Sequence, residues 1–438
     1  MAGNPMKASS TSIPFAKRGA RIVLSTLGSL GDLHPYIALG LGLKARGHDV
    51  VLATSGFYES RITSQGLGFH AIRPDLPQLH NNKEMMRRAM DLRTGTEFVV
   101  RDLVMPSLRE TFEDTMAAAQ GADLLVSHIL TFSVRLAAEL LKLPWASTIL
   151  APIGFLSIHD PPVLPTAPFL GDWRFLGSPF HQMLFSFGRR KIRTWTQPLH
   201  HFRAELGLPS LSQDPLLEGQ HAPDLVLALF SPSFAGIQKD WPSQTITTGF
   251  PWFDQDEVPE LDGELRDFLD SGPAPIVFTL GSSAVRDAGS FFDHSVEAAR
   301  RLRQRALLLI GKEAGNHLPN LPDGMLTREY APFSEVFPRA SVIVHQGGIG
   351  TTAQALRSGR PMLVMPYAHD QPDNASRLKR LGVARVLPRI QYKPLRVASE
   401  LHQLLKNQAY SRRAAALASR IRQEDGVGQA CAALEKLL

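Results

Sequence analysis

Cysteine is nearly absent, Cys431 being the only one in 438 residues. That excludes an internal disulfide framework and fits a reducing compartment, so a cytoplasmic location is expected. No apolar run approaches the roughly 18 residues of a membrane span. Residues 1–20 are polar, lack the apolar heart of a secretory signal and are expected to be flexible. Excess charge of one sign is also small: 47 Lys and Arg against 41 Asp and Glu leave +6, scattered along the chain. That balance suits an anionic small molecule or, peripherally, an anionic membrane face. With no RNP, helix-turn-helix or zinc-finger pattern, a nucleic-acid partner is not expected. Repeats and low-complexity tracts are missing too. The first glycine turn, GSLGD, lacks the GxGxxG spacing, so a dinucleotide is not indicated.

What is present is an apolar fraction of 44% and length for two domains of ordinary size. Residues 21–26, a helix over 37–46 and a strand over 49–54 open the chain as a βαβ unit of the doubly wound kind. Residues 341–378, SVIVHQGGIGTTAQALRSGRPMLVMPYAHDQPDNASRL, organise the rest. A buried strand over 341–344 runs into a glycine loop and then a helix over 352–358, ended by Gly359 and Pro361. A strand, a glycine loop and a helix N-terminus together present free N–H groups and a positive dipole end, which suits a phosphate. After a second strand, 362–365, Asp370 and Gln371 stand at its carboxyl end, where ligands of open α/β sheets bind. On glycines alone a tight turn explains the loop equally well.

In order and spacing these residues resemble the nucleotide-sugar motif of the GT-B glycosyltransferases, the family of plant and antibiotic-pathway UDP- or dTDP-sugar transferases. They look most like bacterial rhamnosyltransferases of glycolipid synthesis, whose motif reads roughly HxGGIGTTAQAL and then HDQPDNA. The resemblance implies two Rossmann-like doubly wound domains facing a cleft. Residues 21–248 would bind acceptor, 249–260 link, 261–420 bind donor, and 421–438 form a helix packing back on the first domain. It implies inverting hexosyl transfer with a UDP- or dTDP-sugar as co-substrate and no other cofactor. Ser282, Ser283, His345, Gly347, Gly348, Gly350, Thr351 and Thr352 would hold the diphosphate, and Asp370 and Gln371 the sugar hydroxyls. Tyr330 and Phe333 stand where plant members have W-x-P-Q. Ala353, with Gln354 beside it, takes the place of a ribose-binding glutamate, so UDP versus dTDP stays open.

Asp32, in the GSLGDLHP loop, reads on residues alone as a cap for the helix beginning near Pro35. The resemblance makes it the general base in place of a plant histidine, and in preference to His34. His128 follows a strand over 122–127, where plant relatives carry an aspartate. It would either contact Asp32 or make ordinary strand-end hydrogen bonds.

Residues 153–195 are rich in proline and large apolar groups, and Phe155, Trp173, Phe180 and Met183 are candidates for an apolar acceptor pocket. Arg189, Arg190, Lys191 and Arg193 follow and could touch anionic lipid heads; a packed helical hairpin with a solvated basic face is the plainer reading. Asp254-Gln255-Asp256 forms a DxD string, but in a linker, and no metal is expected. The expected activity is sugar transfer to a hydroxyl of a largely apolar small molecule or lipid. A nucleotide-sugar 2-epimerase of the same fold, or a non-catalytic donor-binding subunit, are the alternatives.

Overall fold

The protein, seen in a computed structural model, is described over residues 19–75, 82–167, 173–254 and 261–438. The expected flexible N-terminus (save Gly19 and Ala20) and residues 255–260 of the expected linker, with Gln255 and Asp256 of the DxD string, lie outside the described residues.

The strands β1 (Arg21–Ser25), β2 (Asp49–Thr54), β3 (Gly68–Ala71), β4 (Leu124–Ser127), β5 (Trp145–Ile149), β6 (Val226–Ala228) and β7 (Thr245–Thr247) form one sheet. Their spatial order is β3-β2-β1-β4-β5-β6-β7. A second sheet takes β8 (Ile276–Thr279), β9 (Ala306–Leu309), β10 (Met325–Arg328), β11 (Val342–His345), β12 (Met362–Val364) and β13 (Ala384–Val386) in the order β10-β9-β8-β11-β12-β13. Every pairing is parallel. Sheets of this kind are covered on both faces, so their central strands are continuous apolar runs, as β4, β8, β9 and β11 are. The half-exposed strands β3 and β7 carry no such run and escape a reading by hydropathy.

In each sheet the strand order reverses once, between β1 and β4 and between β8 and β11. Ligands of doubly wound sheets bind at that crevice. Register places Ser25 of β1 opposite Ser127 of β4 and Phe278 of β8 opposite Val344 of β11, so the loops after each pair leave side by side.

The first helix runs Leu30–Ala45, seven residues earlier than the hydropathy pattern suggests. Ser29 is its N-cap and Asp32 its third residue, closing a capping box that satisfies two orphan amides reciprocally. Pro35 therefore sits inside the helix and forgoes one hydrogen bond. Near the end of the chain, Gln408–Ile421 packs on the helix Ile349–Ser358. The last helix, Gly426–Glu435, packs on Leu30–Ala45: a Cβ at Gly42 would lie 2.5 Å from Val427 and 2.9 Å from the Cys431 sulfur. Burial pushes that thiol up to about 12, so Cys431 is a packing group. One apolar cluster continues from Ile149, Val226 and Phe230 through Phe250 into Val277 and Ile343, joining the two sheets. Among the described residues no helix is long and apolar enough to cross a membrane.

Candidate active site

Asp32 leaves β1 at the first switch point. Its Oδ2 accepts from the Ser29 amide at 2.7 Å and the Ser29 hydroxyl at 3.1 Å. Its other oxygen, Oδ1, lies 3.6 Å from His128 Nε2, just outside hydrogen-bond range, and the side chain is 32% exposed. Asp32 thus belongs to the helix N-terminus without being the cap residue, and one carboxylate oxygen still faces the cleft. Gly28, at φ 141°, makes room for it: a Cβ there would meet Asp32 Oδ2 at 2.2 Å. His128 is buried, and its Nδ1 accepts from the Leu130 amide at 3.4 Å. The imidazole proton therefore sits on Nε2, toward Asp32. Burial holds His128 below its ordinary range against the pull of the Asp32 charge, so its imidazole is neutral. His34 is held down to about 4 by burial and the Arg61 charge, and its ring lies against Phe253, away from this pair's hydrogen bonds.

At the second switch point His345 ends β11 fully buried. Its Nδ1 accepts from the Gly347 amide at 3.1 Å, so Nε2 carries the proton, yet Nε2 has no partner. Burial lowers the imidazole to about 3, which makes it a neutral donor and not a cation. Gly347 turns at φ 90°, where a Cβ would strike Val364 at 2.9 Å. Gly348 caps Ile349–Ser358 without a side chain. Around this turn Gln346 Oε1, Thr352 Oγ1 and Asn374 Oδ1 are also buried and unpartnered. Buried polar groups are rarely left so, and each orphan costs roughly 1–3 kcal/mol. Four such atoms lie around one loop. Gly281, at φ 64°, brings the loop after β8 into the same spot, since a Cβ there would lie 2.4 Å from Gln346 Nε2 and 3.2 Å from Thr351 Oγ1. Ser282 and Ser283 follow in the short helix Gly281–Ala284, exposed and half-buried.

The two switch points meet. A Cβ at Gly350 would lie 3.4 Å from the Gly31 Cα, so the N-terminal turns of Leu30–Ala45 and Ile349–Ser358 face each other. Asp370 joins them: its Oδ2 accepts from the Ile349 amide at 3.2 Å and Asn374 Nδ2 at 2.7 Å. Burial, reinforced by the Asp32 charge, lifts Asp370 to about 7. Gln371 is buried with its Oε1 on the Tyr367 and Ala368 amides, so that oxygen shapes the turn. His369, beside them, holds the left-handed φ of 58° and hydrogen-bonds through Nδ1 to Thr96 Oγ1 of the first domain at 3.1 Å. Sequence reasoning misses His369, Gln346 and Asn374, although all three lie inside the quoted motif.

Other candidates fall further out. Tyr330 is 54% exposed, with the Phe333 ring at 6.4 Å and inclined 30° to it, and Phe333 is stacked in turn on Phe337 at 4.4 Å. Gln354 Nε2 donates to Asp254 at 3.1 Å, and Arg357 pairs with the same carboxylate. Asp254 is thus engaged by its own chain, and among the described residues no acidic or histidine cluster has the makings of a metal site. Phe155 must be corrected: it stacks on Trp241 at 3.9 Å and lies in the core, so no acceptor reaches it. Its spacing from β5 places it in a short 3-10 turn folded under the sheet end. Trp173 and Met183 are 42% and 54% exposed, and Phe180 is half-buried with its ring 5.9 Å from Trp173.

Residues 22–118 match the glycosyltransferase family 28 N-terminal domain, and residues 294–430 match the erythromycin biosynthesis protein CIII-like C-terminal domain. The chain is similar to O-mycaminosyltylonolide 6-deoxyallosyltransferase of Streptomyces fradiae, 32% identical across 95% of this chain and 97% of that one. It is also similar to sterol 3-beta-glucosyltransferase UGT80A2 of Arabidopsis thaliana, 26% identical across 95% of this chain but only 66% of the relative. In fold it resembles the glycotransferase of kitacinnamycin, with a TM-score of 0.72 at 20% identity over 96% of this chain and 99% of that one.

Proposed function

The chain belongs to the UDP- or dTDP-sugar glycosyltransferases of the GT-B fold, and from that membership we propose an inverting hexosyltransferase acting on a hydroxyl of a largely apolar small molecule or lipid. The observation that carries the reading is the meeting of the Asp32 loop with the orphan-lined glycine loop across Gly31 and Gly350. Residues 21–248 would take the acceptor and 261–420 the donor.

The acceptor oxygen attacks the anomeric carbon while the bond to the diphosphate oxygen breaks, its electron pair leaving with the nucleotide. The hydroxyl proton passes to Asp32, whose Oδ1 faces the cleft. The Ser29 amide and hydroxyl hold the other oxygen of that carboxylate, and neutral His128 stands 3.6 Å from Oδ1. Negative charge grows on the leaving diphosphate, and His345 Nε2–H, the serines after β8 and the first-turn amides of Ile349–Ser358 beyond that of Ile349, which Asp370 occupies, would meet it. Because His345 is neutral, it assists as a hydrogen-bond donor and not as a counter-ion. Asp370 would accept from sugar hydroxyls.

The apolar character of the acceptor rests on Trp173, Phe175, Leu176, Met183 and Phe187, all exposed on or beside the long helix Gly177–Trp195. Exposed Arg190, Lys191 and Arg193 continue that helix, a pairing suited to an anionic lipid surface. The names of the two relatives, one acting on a glycosylated tylonolide and one on sterols, point to acceptors of that kind. The test is to incubate the pure protein with UDP- and dTDP-linked glucose and rhamnose and with sterol, macrolide and lipid hydroxyls. Mass spectrometry reads transfer and NMR the anomeric configuration. Co-sedimentation with anionic vesicles reads the membrane contact. Turnover with retained configuration, or donor binding with no transfer to any acceptor, would falsify the proposal.

A further inference from the structure

The loop after β5 crosses the cleft. Ser157 and Ile158 are tied to Asp240, through Ser157 Oγ at 2.7 Å and the Ile158 amide at 2.7 Å, which holds the loop outward from the first sheet. Asp160, with its side chain 16% exposed, then accepts from Arg174 at 2.6 Å, from Arg380 at 2.9 Å and from Arg377. Arg174 belongs to the aromatic segment, next to Trp173 and Phe175. Arg377 and Arg380 lie on the helix Gln371–Arg380, directly after Asp370. The contact is double: the Val163 amide donates to Asp373 Oδ1 at 3.0 Å, and Asp373 Oδ2 accepts from Arg377 at 2.7 Å. Asp373 and Arg377 are both fully buried.

We propose that Asp160 is a positioning residue that links the aromatic acceptor segment to the sugar-holding turn, so that the acceptor hydroxyl and the donor are brought to one place only when this contact is closed. This deepens the glycosyltransferase reading and rests on it. Asp160 is the anion shared by all three guanidinium groups, which come from both sides of the cleft. Without it, Arg377 keeps Asp373 on its own helix, whereas Arg174 and Arg380 face each other with their shared counter-ion gone. The ion pairs across the cleft are lost along with the Arg174 pair, while the apolar packing between the sheets and the Gly31–Gly350 approach remain. Misplacing reacting groups by about 1 Å costs up to about a hundredfold in rate, and water, needing no such alignment, is the acceptor least affected.

The test is Asp160→Asn, with Arg380→Gln as a second variant at the rim of the same contact and Asp160→Glu as the conservative rescue. Two readouts decide. Amide hydrogen exchange at Val163 reports the contact without any substrate, and it should quicken by about tenfold or more in Asp160→Asn while the β-strands stay protected. On the donor and acceptor pair that the wild type turns over, kcat for transfer should fall about 10- to 100-fold. Donor hydrolysis by water and donor affinity should change little. Arg380→Gln should move both readouts the same way by less, and Asp160→Glu should restore them. Unchanged exchange at Val163 would overturn the link, as would hydrolysis and transfer falling by the same factor. If Asp160→Asn does not fold, Arg380→Gln is measured in its place, and the same two outcomes support or overturn the link. A wild type without any transfer activity would fail the parent reading, while the exchange measurement would still decide whether Asp160 holds the loop after β5 on the helix Gln371–Arg380.

Discussion

The substitution Asp32→Asn separates a catalytic carboxylate from a capping one. In the structure Oδ2 carries the capping work, two hydrogen bonds to Ser29, and Oδ1 faces His128 Nε2 at 3.6 Å and the cleft. An asparagine oxygen can take over the Ser29 amide, so the helix loses only the charge near its N-terminus, about 0.3–1 kcal/mol. The amide cannot take a proton at neutral pH, and its NH2 would face the N–H of His128 where the carboxylate oxygen stood. Turnover should therefore drop about 10²–10⁴-fold, the usual contribution of a general base. A second effect follows from Asp370, whose carboxyl is lifted to about 7 partly by the Asp32 charge. If ionised Asp370 grips the sugar, donor affinity in the wild type weakens as pH falls through about 7. Removing the neighbouring negative charge favours ionisation, so in Asp32→Asn that midpoint moves to lower pH. Single-turnover rates and donor titrations across pH, with melting curves alongside, measure all three. Near-normal turnover in a folded variant would refute the role of Asp32 as base, and an unmoved midpoint would refute its electrostatic coupling to Asp370.

Three further outcomes are expected. His345→Ala removes the buried Nε2–H and should weaken donor binding and slow turnover together, about ten- to a hundredfold, with the fold intact; equal donor affinity by calorimetry would take His345 out of the site. Asp370, with a folded value of about 7 above the ordinary 3.8, holds a proton that the unfolded chain has already released. The contribution of Asp370 to the stability of the ligand-free protein should thus decline as pH rises from about 4 to 7, against the opposite contribution of the buried neutral His34 and His345. Asp370→Asn should flatten that decline while losing donor affinity, and a melting-temperature profile with the wild-type slope would contradict it. EDTA should leave transfer nearly intact because Asp254 is already engaged by Arg357 and Gln354; loss on chelation, restored by Mg²⁺ or Mn²⁺, would overturn that expectation.

The local parts of this protein were written in the sequence. The apolar run before His345, the glycines at 347, 348 and 350 and the helix that follows are near neighbours, and their geometry follows from backbone sterics and helix-end chemistry. The same holds for the βαβ opening and for the α/β class. Short-range signals even contained the Ser29–Asp32 capping box, although hydropathy alone started the helix too late. What the sequence could not determine was which loops meet. Strand order put Asp32 and His128 at one switch point and Gly281 and His345 at the other, and no periodicity encodes that order. Phe155 looked like a pocket residue because its neighbours are aromatic, and only the packing of Trp241 on it made it core. Thr96 and His369 lie 273 residues apart, and Asp160 and Arg377 217 apart. Hydrogen bonds and ion pairs over such separations leave no repeat in the chain, because they depend on how two whole domains face each other and not on any spacing along the backbone.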